Sequence, residues 1–142
     1  MTADDRALRR GMWRVDQPEP DELDAPPSRF DGLARHRLAG GLTLVVASTR
    51  VARGRGLARL DALAADHALL IERCRSIHTV GMRFALDLLW LDAAGAVVRV
   101  DAGVAPRGLR SCRGARAVIE CNAGQADRFA ARLPDRLEDL HG

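Results

Sequence analysis

The chain has no lysine and no tyrosine, and only two Trp and three Phe among its 142 residues. Its 22 basic residues are therefore all arginine, a bias typical of GC-rich bacterial coding, so the mere presence of an Arg says little about its chemistry. No apolar run approaches the roughly 18 residues that a membrane span needs, which excludes a spanning helix. Residues 1–14 carry charges without an apolar stretch or a small-residue cleavage site, so no secretory signal is expected and the expected location is cytoplasmic. Cys74, Cys112 and Cys121 are an odd number without a framework spacing. That excludes a disulfide scaffold and suits a reducing compartment. There is no Cys-x2-Cys pair, no Gly-x-Ser-x-Gly elbow and no internal repeat. These absences argue against a zinc module, a triad hydrolase and a solenoid.

What is present divides unevenly. Residues 1–31 hold eight acids against five Arg, and four of the six Pro. Such a segment buries too little apolar surface to offset its ordering entropy, so an acidic, Pro-rich disordered tail is expected there. Met12-Trp13-Arg14-Val15 is either a loose patch within it or a strip that docks on the domain. Residues 32–142 hold eleven acids against seventeen Arg, and are long enough for one core. Their positive balance permits an anionic partner.

The patterning within this domain is mostly strand-like. Ala34–Leu38 and Leu42–Ala47, joined by Ala39-Gly40-Gly41, predict a β-hairpin. Ser48 or Thr49 would cap a short helix, with Leu57, Leu60 and Ala64 at helical spacing. Ala68–Glu72 predicts a short strand. Leu86–Asp92 predicts a central strand, apolar on both faces, with Asp87 sharing a face with Leu89 and Leu91. Asp92–Gly95 is a turn signal, after which Ala96–Asp101 should return with Val98 and Val100 inward and Arg99 and Asp101 toward water. A Gly- and Arg-rich loop follows over 103–116, then a strand over Arg116–Cys121. Asn122 and Gln125 nearly match a capping box, before a helix with the stripe Ala126, Phe129, Ala130 and Leu133 that Pro134 would stop. Arg136–Leu140 predicts a last edge strand. The sum is a single α+β domain, mainly β: a compact, antiparallel, partly closed, barrel-like sheet with one or two short helices.

One ordered set of motifs goes further. It comprises Gly56-Leu57-x-Arg59, the run Ser76-Ile-His-Thr-Val-Gly-Met-Arg-Phe-x-Leu-Asp87, Leu91-Asp-x-x-Gly95, Pro106-Arg107 and Val118-Ile-Glu-Cys-Asn-Ala-Gly124. This order resembles the small bacterial and archaeal family catalogued as domain of unknown function 192, over about residues 40–140. The resemblance implies a compact, mostly β, barrel-like domain and no known reaction. Where that family has Gly-Asp near its C-terminus, this chain has Pro134-Asp135.

The candidate site residues cluster around the same run. Asp87 is a carboxylate on an apolar strand face, which is costly unless it is hydrogen-bonded or paired. It reads either as a structural group that anchors the His78 loop, accepting backbone N–H groups or Arg83, or as a general base with His78. In the catalytic alternative, a small hydrolase-like enzyme would use Asp87, His78 and Cys74. Cys74-x3-His78 has metal-compatible spacing but too few companions, and Cys74 flanked by Arg73 and Arg75 also has the setting of a redox thiol. No metal or cofactor is assigned. Arg107, Arg110, Arg113 and Arg116, three apart with no acid between them, suit phosphate or carboxylate. No aromatic in that loop offers stacking and no recognition motif is present, which argues against nucleic acid. The favoured reading is a non-catalytic binding or accessory domain for a small anionic ligand or a protein segment. It would use His78, Thr79, Met82 and those four Arg, with Gly81, Gly95 and Glu120 structural beside Asp87.

Overall fold

The structure is a computed structural model that describes residues 32–47, 63–79, 82–136 and 139. The expected tail with its Trp13 strip, the helix at Ser48 to Leu60 and the role of Gly81 lie outside the described residues. Eight strands and one helix are present among them: β1 (Ala34–Leu38), β2 (Leu42–Ala47), β3 (His67–Glu72), β4 (Ser76–His78), β5 (Leu86–Leu91), β6 (Val97–Val104), β7 (Leu109–Ser111), β8 (Ala117–Asn122) and α1 (Ala126–Ala130).

Six strands form one sheet in the order β1-β2-β3-β8-β5-β6, and β4 pairs with β7 in a separate ribbon. Neighbours in the large sheet are antiparallel except β2 and β3, which run parallel. The domain is thus mainly β, as expected, but the sheet is open: β1 and β6 are its two edges and do not meet. The β1–β2 hairpin turns on Gly40 and Gly41, both at positive φ, a conformation that glycine adopts without steric cost.

Side chains alternate across each strand, so two faces can be read directly from the register. One face carries Leu42, Leu44 and Val46 from β2, Ala68 and Leu70 from β3, Ala117, Ile119 and Cys121 from β8, and Leu89 and Leu91 from β5. These pack with Ala126 and Phe129 of α1. The opposite face carries Val45, Leu69, Ile71, Val118, Leu86, Leu88 and Trp90, which are buried as well. Burial on both sides explains why the inner strands read as continuous apolar runs rather than as alternation.

Strand β6 corrects the expected facing. Val98 and Val100 are 48% and 43% exposed, because β6 is an edge strand. Asp101 instead turns toward the sheet, where it accepts the indole N–H of the fully buried Trp90 at 3.0 Å. A buried indole N–H needs an acceptor, and that requirement outweighs the apolar preference of the valines. Arg99 binds the same carboxylate through Nε at 3.0 Å and Nη2 at 2.6 Å, lies 6.0 Å from the Trp90 ring centroid, and donates from Nη1 to the Ser111 carbonyl at 3.0 Å. The side chains of β6 thereby tie the large sheet to β7 of the ribbon.

The helix differs from its sequence reading at both ends. Asn122 closes β8 and donates its amide to the Leu63 carbonyl at 2.7 Å, so it caps nothing. The helix itself spans only Ala126–Ala130, and its cap residue Gln125 makes no side-chain cap bond. Its N-terminus is satisfied from across the sheet, by Asp87. The expected last strand falls partly outside the described residues. Where it is described, the Asp139 N–H bonds the Arg136 carbonyl at 3.1 Å, a tight turn and not a strand pairing.

The Arg99 bond holds the Asp101 carboxyl below its ordinary range, with Trp90 adding to the effect and burial opposing it. A depressed carboxyl contributes stability above its unfolded value, about 3.9, which is lost as pH falls through the folded value. Asp101→Asn should therefore destabilise the protein by about 1 kcal/mol near pH 7, and the gap in denaturant midpoint should close below about pH 4. An equal gap at pH 7 and pH 3 would show that the charge plays no part.

Candidate functional site

The polar run Ser76 to Thr79, read as a loop, begins as strand β4. It pairs antiparallel with β7, setting Ser76 opposite Ser111, Ile77 opposite Arg110 and His78 opposite Leu109. This pairing brings together two stretches some thirty residues apart in the chain, the signature run and the Arg-rich loop. Ile77 is buried, so Arg110 lies on the inward face of the ribbon, half-buried, while His78 and Leu109 share the outward face.

Thr79 locks the end of the ribbon. Its N–H donates to the Gly108 carbonyl at 2.7 Å, and its carbonyl accepts the N–H groups of Met82 and Arg107, each at 3.1 Å. Its hydroxyl accepts the Gly108 N–H at 2.6 Å, with its own proton shared between the Ala105 and Gly108 carbonyls at 2.9 and 3.2 Å. A methyl group on Gly108 would sit 3.4 Å from the Thr79 hydroxyl, in ordinary contact, and 3.2 Å from the Arg110 guanidinium, which would have to shift by a few tenths of an ångström. Thr79 is 1% exposed and Met82 8%. Both were expected to touch ligand; the structure places them beneath the surface, where Thr79 holds the loop.

Arg107 sits at the crest of that loop with φ +67. A left-handed backbone costs a non-glycine residue about 1–2 kcal/mol, and such strain persists where the surroundings over-determine it. Here Pro106 precedes it, and both its own N–H and that of Gly108 are fastened to Thr79. The Arg107 side chain is exposed and makes no hydrogen bond among the described residues. Arg110 spends one N–H on the Leu109 carbonyl at 3.0 Å, out of the five donors a guanidinium carries. Beside them, Leu109 is 66% exposed and His78 is exposed. The result is an outward patch of the Arg107 guanidinium, the His78 imidazole and the Leu109 side chain, with the half-buried Arg110 behind it on the inward face of the ribbon.

The four Arg of the expected cradle are spread along the chain, with Arg107 before β7 and Arg110 within it. Strand β7 lies in the middle of the series, and Arg113 and Arg116 fall at its far end. There Cys112 N–H bonds the Arg75 carbonyl at 2.9 Å and Cys74 N–H bonds the Arg116 carbonyl at 3.0 Å.

Asp87 is 3% exposed on β5. Its Oδ1 accepts the Gly103 N–H at 2.8 Å, and its Oδ2 accepts the N–H groups of Gly124 and Ala126 at 2.9 and 3.1 Å. Backbone N–H groups were among the expected donors, but the loop expected to be anchored was that of His78. The carboxylate instead fastens the end of β6 and the turn into α1, because β5 lies between β6 and β8 and those are the backbones its side chain can reach. No hydrogen bond joins Asp87 to the exposed His78 among the described residues, so the geometry required of a catalytic pair is absent.

The other candidates are simpler. Cys74 donates its thiol to the Ser76 carbonyl at 3.3 Å. Cys121 is buried, and burial first, then the charges of Asp87 and Glu120, push its thiol up to about 12. Glu120 is 4% exposed on the face opposite Cys121. Gly95 takes φ +90 in a turn that Asp92 closes by accepting the Ala94 and Ala96 N–H groups, both at 2.9 Å. Among the described residues no three His, Cys, Asp or Glu side chains converge as metal ligands would. The Trp90–Arg99–Asp101 network escaped sequence reading. Its signal was a Trp with no polar neighbour on its own face of β5, opposite Arg99 and two residues from Asp101 in the facing strand.

Asp87 yields the clearest test. Asp87→Ala leaves three buried N–H groups without an acceptor and should cost about 3 kcal/mol. Asp87→Asn keeps the shape and one acceptor oxygen and should cost less. Denaturant midpoints should fall in the order wild type, Asn, Ala; wild-type midpoints in both variants would contradict the anchoring role.

The model of domain of unknown function 192, described as uncharacterised ACR, matches residues 34–138. A crystal structure from Sinorhizobium meliloti 1021, described as a proposed transcription regulator, has 24% identity and a TM-score of 0.57, covering 71% of this chain and 86% of that one. A protein of unknown function from Novosphingobium aromaticivorans DSM 12444 has 17% identity and a TM-score of 0.57, covering 79% of this chain and 97% of that one. At these identities the likeness concerns the fold. No curated protein matches the chain significantly.

Proposed function

The chain belongs to the domain of unknown function 192 family, and from that premise we propose that it is a non-catalytic binding domain for a small anionic ligand. Its site is the outward end of the β4–β7 ribbon, with Arg107 and Arg110 as anion donors and His78 and Leu109 beside them. One observation carries the reading: Thr79 holds Arg107 in a strained left-handed conformation, while the side chain it presents has no hydrogen-bond partner among the described residues. Strain maintained by a dedicated buried clasp is characteristic of functional positions. A pre-positioned guanidinium with open donors suits carboxylate or phosphate, which it meets bidentately.

The catalytic alternative has less support. Asp87 spends its carboxylate on three backbone N–H groups, and the Cys121 thiol is held far from its ionised form. A transcription regulator, the description of the Sinorhizobium chain, generally needs an element that enters a groove. The helix among the described residues has five residues, with Ala126 and Phe129 buried, and does not supply one. No helix among the described residues is long and apolar enough to cross a membrane. The free thiols of Cys74, Cys112 and Cys121 support a cytoplasmic setting.

Thermal-shift titration with phosphorylated and carboxylate metabolites tests this reading. A ligand at a hundredfold excess over its Kd adds about 2.7 kcal/mol to stability, enough to raise Tm by several degrees. The shift should vanish in Arg107→Ala/Arg110→Ala. Arg107→Gly is the sharper variant: it should match or exceed the wild-type Tm without ligand, since glycine relieves the strain, yet lose the ligand shift. Equal shifts in wild type and double variant would remove Arg107 and Arg110 from the site.

A further inference from the structure

The two edges of the large sheet differ in kind. β1 is five residues long and carries Arg35, His36 and Arg37, the charged, short form by which proteins blunt an edge. β6 is eight residues long, and Val97, Val98 and Val100 are 37%, 48% and 43% exposed. Among the described residues, no backbone hydrogen bond reaches β6 from the side away from β5. A long, apolar edge with open backbone groups is a template for another strand.

We propose that β6 pairs antiparallel with β6 of a second copy, across a two-fold axis at Val100, joining two six-stranded sheets into one of twelve strands. The sequence of the strand selects both partner and register. In antiparallel pairing, residues directly opposite lie on the same face, so a two-fold axis normal to the sheet must pass at a residue. An axis at Val100 sets Arg99 of each copy opposite Asp101 of the other. An axis at Arg99 or Asp101 sets like charges face to face, and no other position brings the two opposite each other. β6 pairs regularly with β5 from Arg99 to Asp101 and shifts register on either side, so the continuous part of the seam is Arg99-Val100-Asp101. Arg99 and Asp101 already pair within one strand, with side chains 43% and 18% exposed. Pairing would close four charges into an alternating ring. The Arg107 loops would lie at opposite ends of the joined strands, leaving the binding patches of the preceding section open.

Light scattering of the full chain over a concentration series should give twice the monomer mass. Val100→Lys sets two ammonium groups against each other at the axis and should raise the dissociation constant by at least about tenfold, with the circular dichroism spectrum unchanged. Cross-linking reads the register in a Cys74→Ser background. Val100→Cys faces itself at a Cα separation of about 4.5–5.5 Å, within disulfide reach, and should form a covalent dimer under mild oxidation. Val97→Cys lies away from the axis and should not. A wild-type monomer at several hundred micromolar overturns the proposal. So does a dimer in which Val97→Cys cross-links and Val100→Cys fails to.

Discussion

Asp87 is a charge placed where a charge is most expensive, on an inner strand at 3% exposure. It is tolerated because three backbone N–H groups converge on it, from Gly103, Gly124 and Ala126. Hydrogen bonds to a charged acceptor are each worth about 1.5–3 kcal/mol, and together they offset much of the desolvation. The consequence is architectural. Gly124 and Ala126 lie in the turn that starts α1, so the carboxylate supplies the N-terminal acceptor that the helix's own sequence lacks. With α1 fixed, Phe129 closes the apolar face of the sheet. With Gly103 fixed, β6 ends in a defined place and the loop to Arg107 begins from it.

A second polar residue repeats the device at the ribbon. Thr79 uses its N–H, its carbonyl and its hydroxyl to hold Ala105 through Gly108. In both cases one short side chain, buried and saturated, organises a loop that has too little apolar content to be held by burial. Asp101 does the same work between the layers, taking Trp90 and Arg99 together while Arg99 reaches Ser111. The chain from Asp87 through Gly103 to Arg107 links core, edge strand and the exposed Arg107 loop within about twenty residues. That continuity explains why the signature run contains residues that never reach the surface.

Much of this architecture was legible in the sequence, and some of it was not. The inner strands, the Gly40-Gly41 hairpin and the Asp92–Gly95 turn follow from apolar runs and glycine placement, which act over a few residues. Asp87 drew attention as a carboxylate among Leu86, Leu88 and Leu89, and its need for hydrogen bonds follows from solvation alone. The donors could not be named, because they arrive from residues 16 to 39 positions later in the chain. The bonds of Thr79 were illegible for the same reason: a hydroxyl's partners depend on which loop is laid over it. Val98 and Val100 were taken as inward because alternation does not reveal which strand is at the edge.

By itself the sequence determined the mainly β class, the membership signalled by the His78 to Asp87 run, and the residues whose burial would demand compensation. Those are local properties of composition, periodicity and solvation. Tertiary structure decided that the sheet stays open, that β4 meets β7, and that Arg107 is held at positive φ at the surface, as Arg73 is. Each of these depends on pairing between distant segments, where many registers satisfy the same local preferences and only the closed set of hydrogen bonds around Asp87, Thr79 and Asp101 selects one.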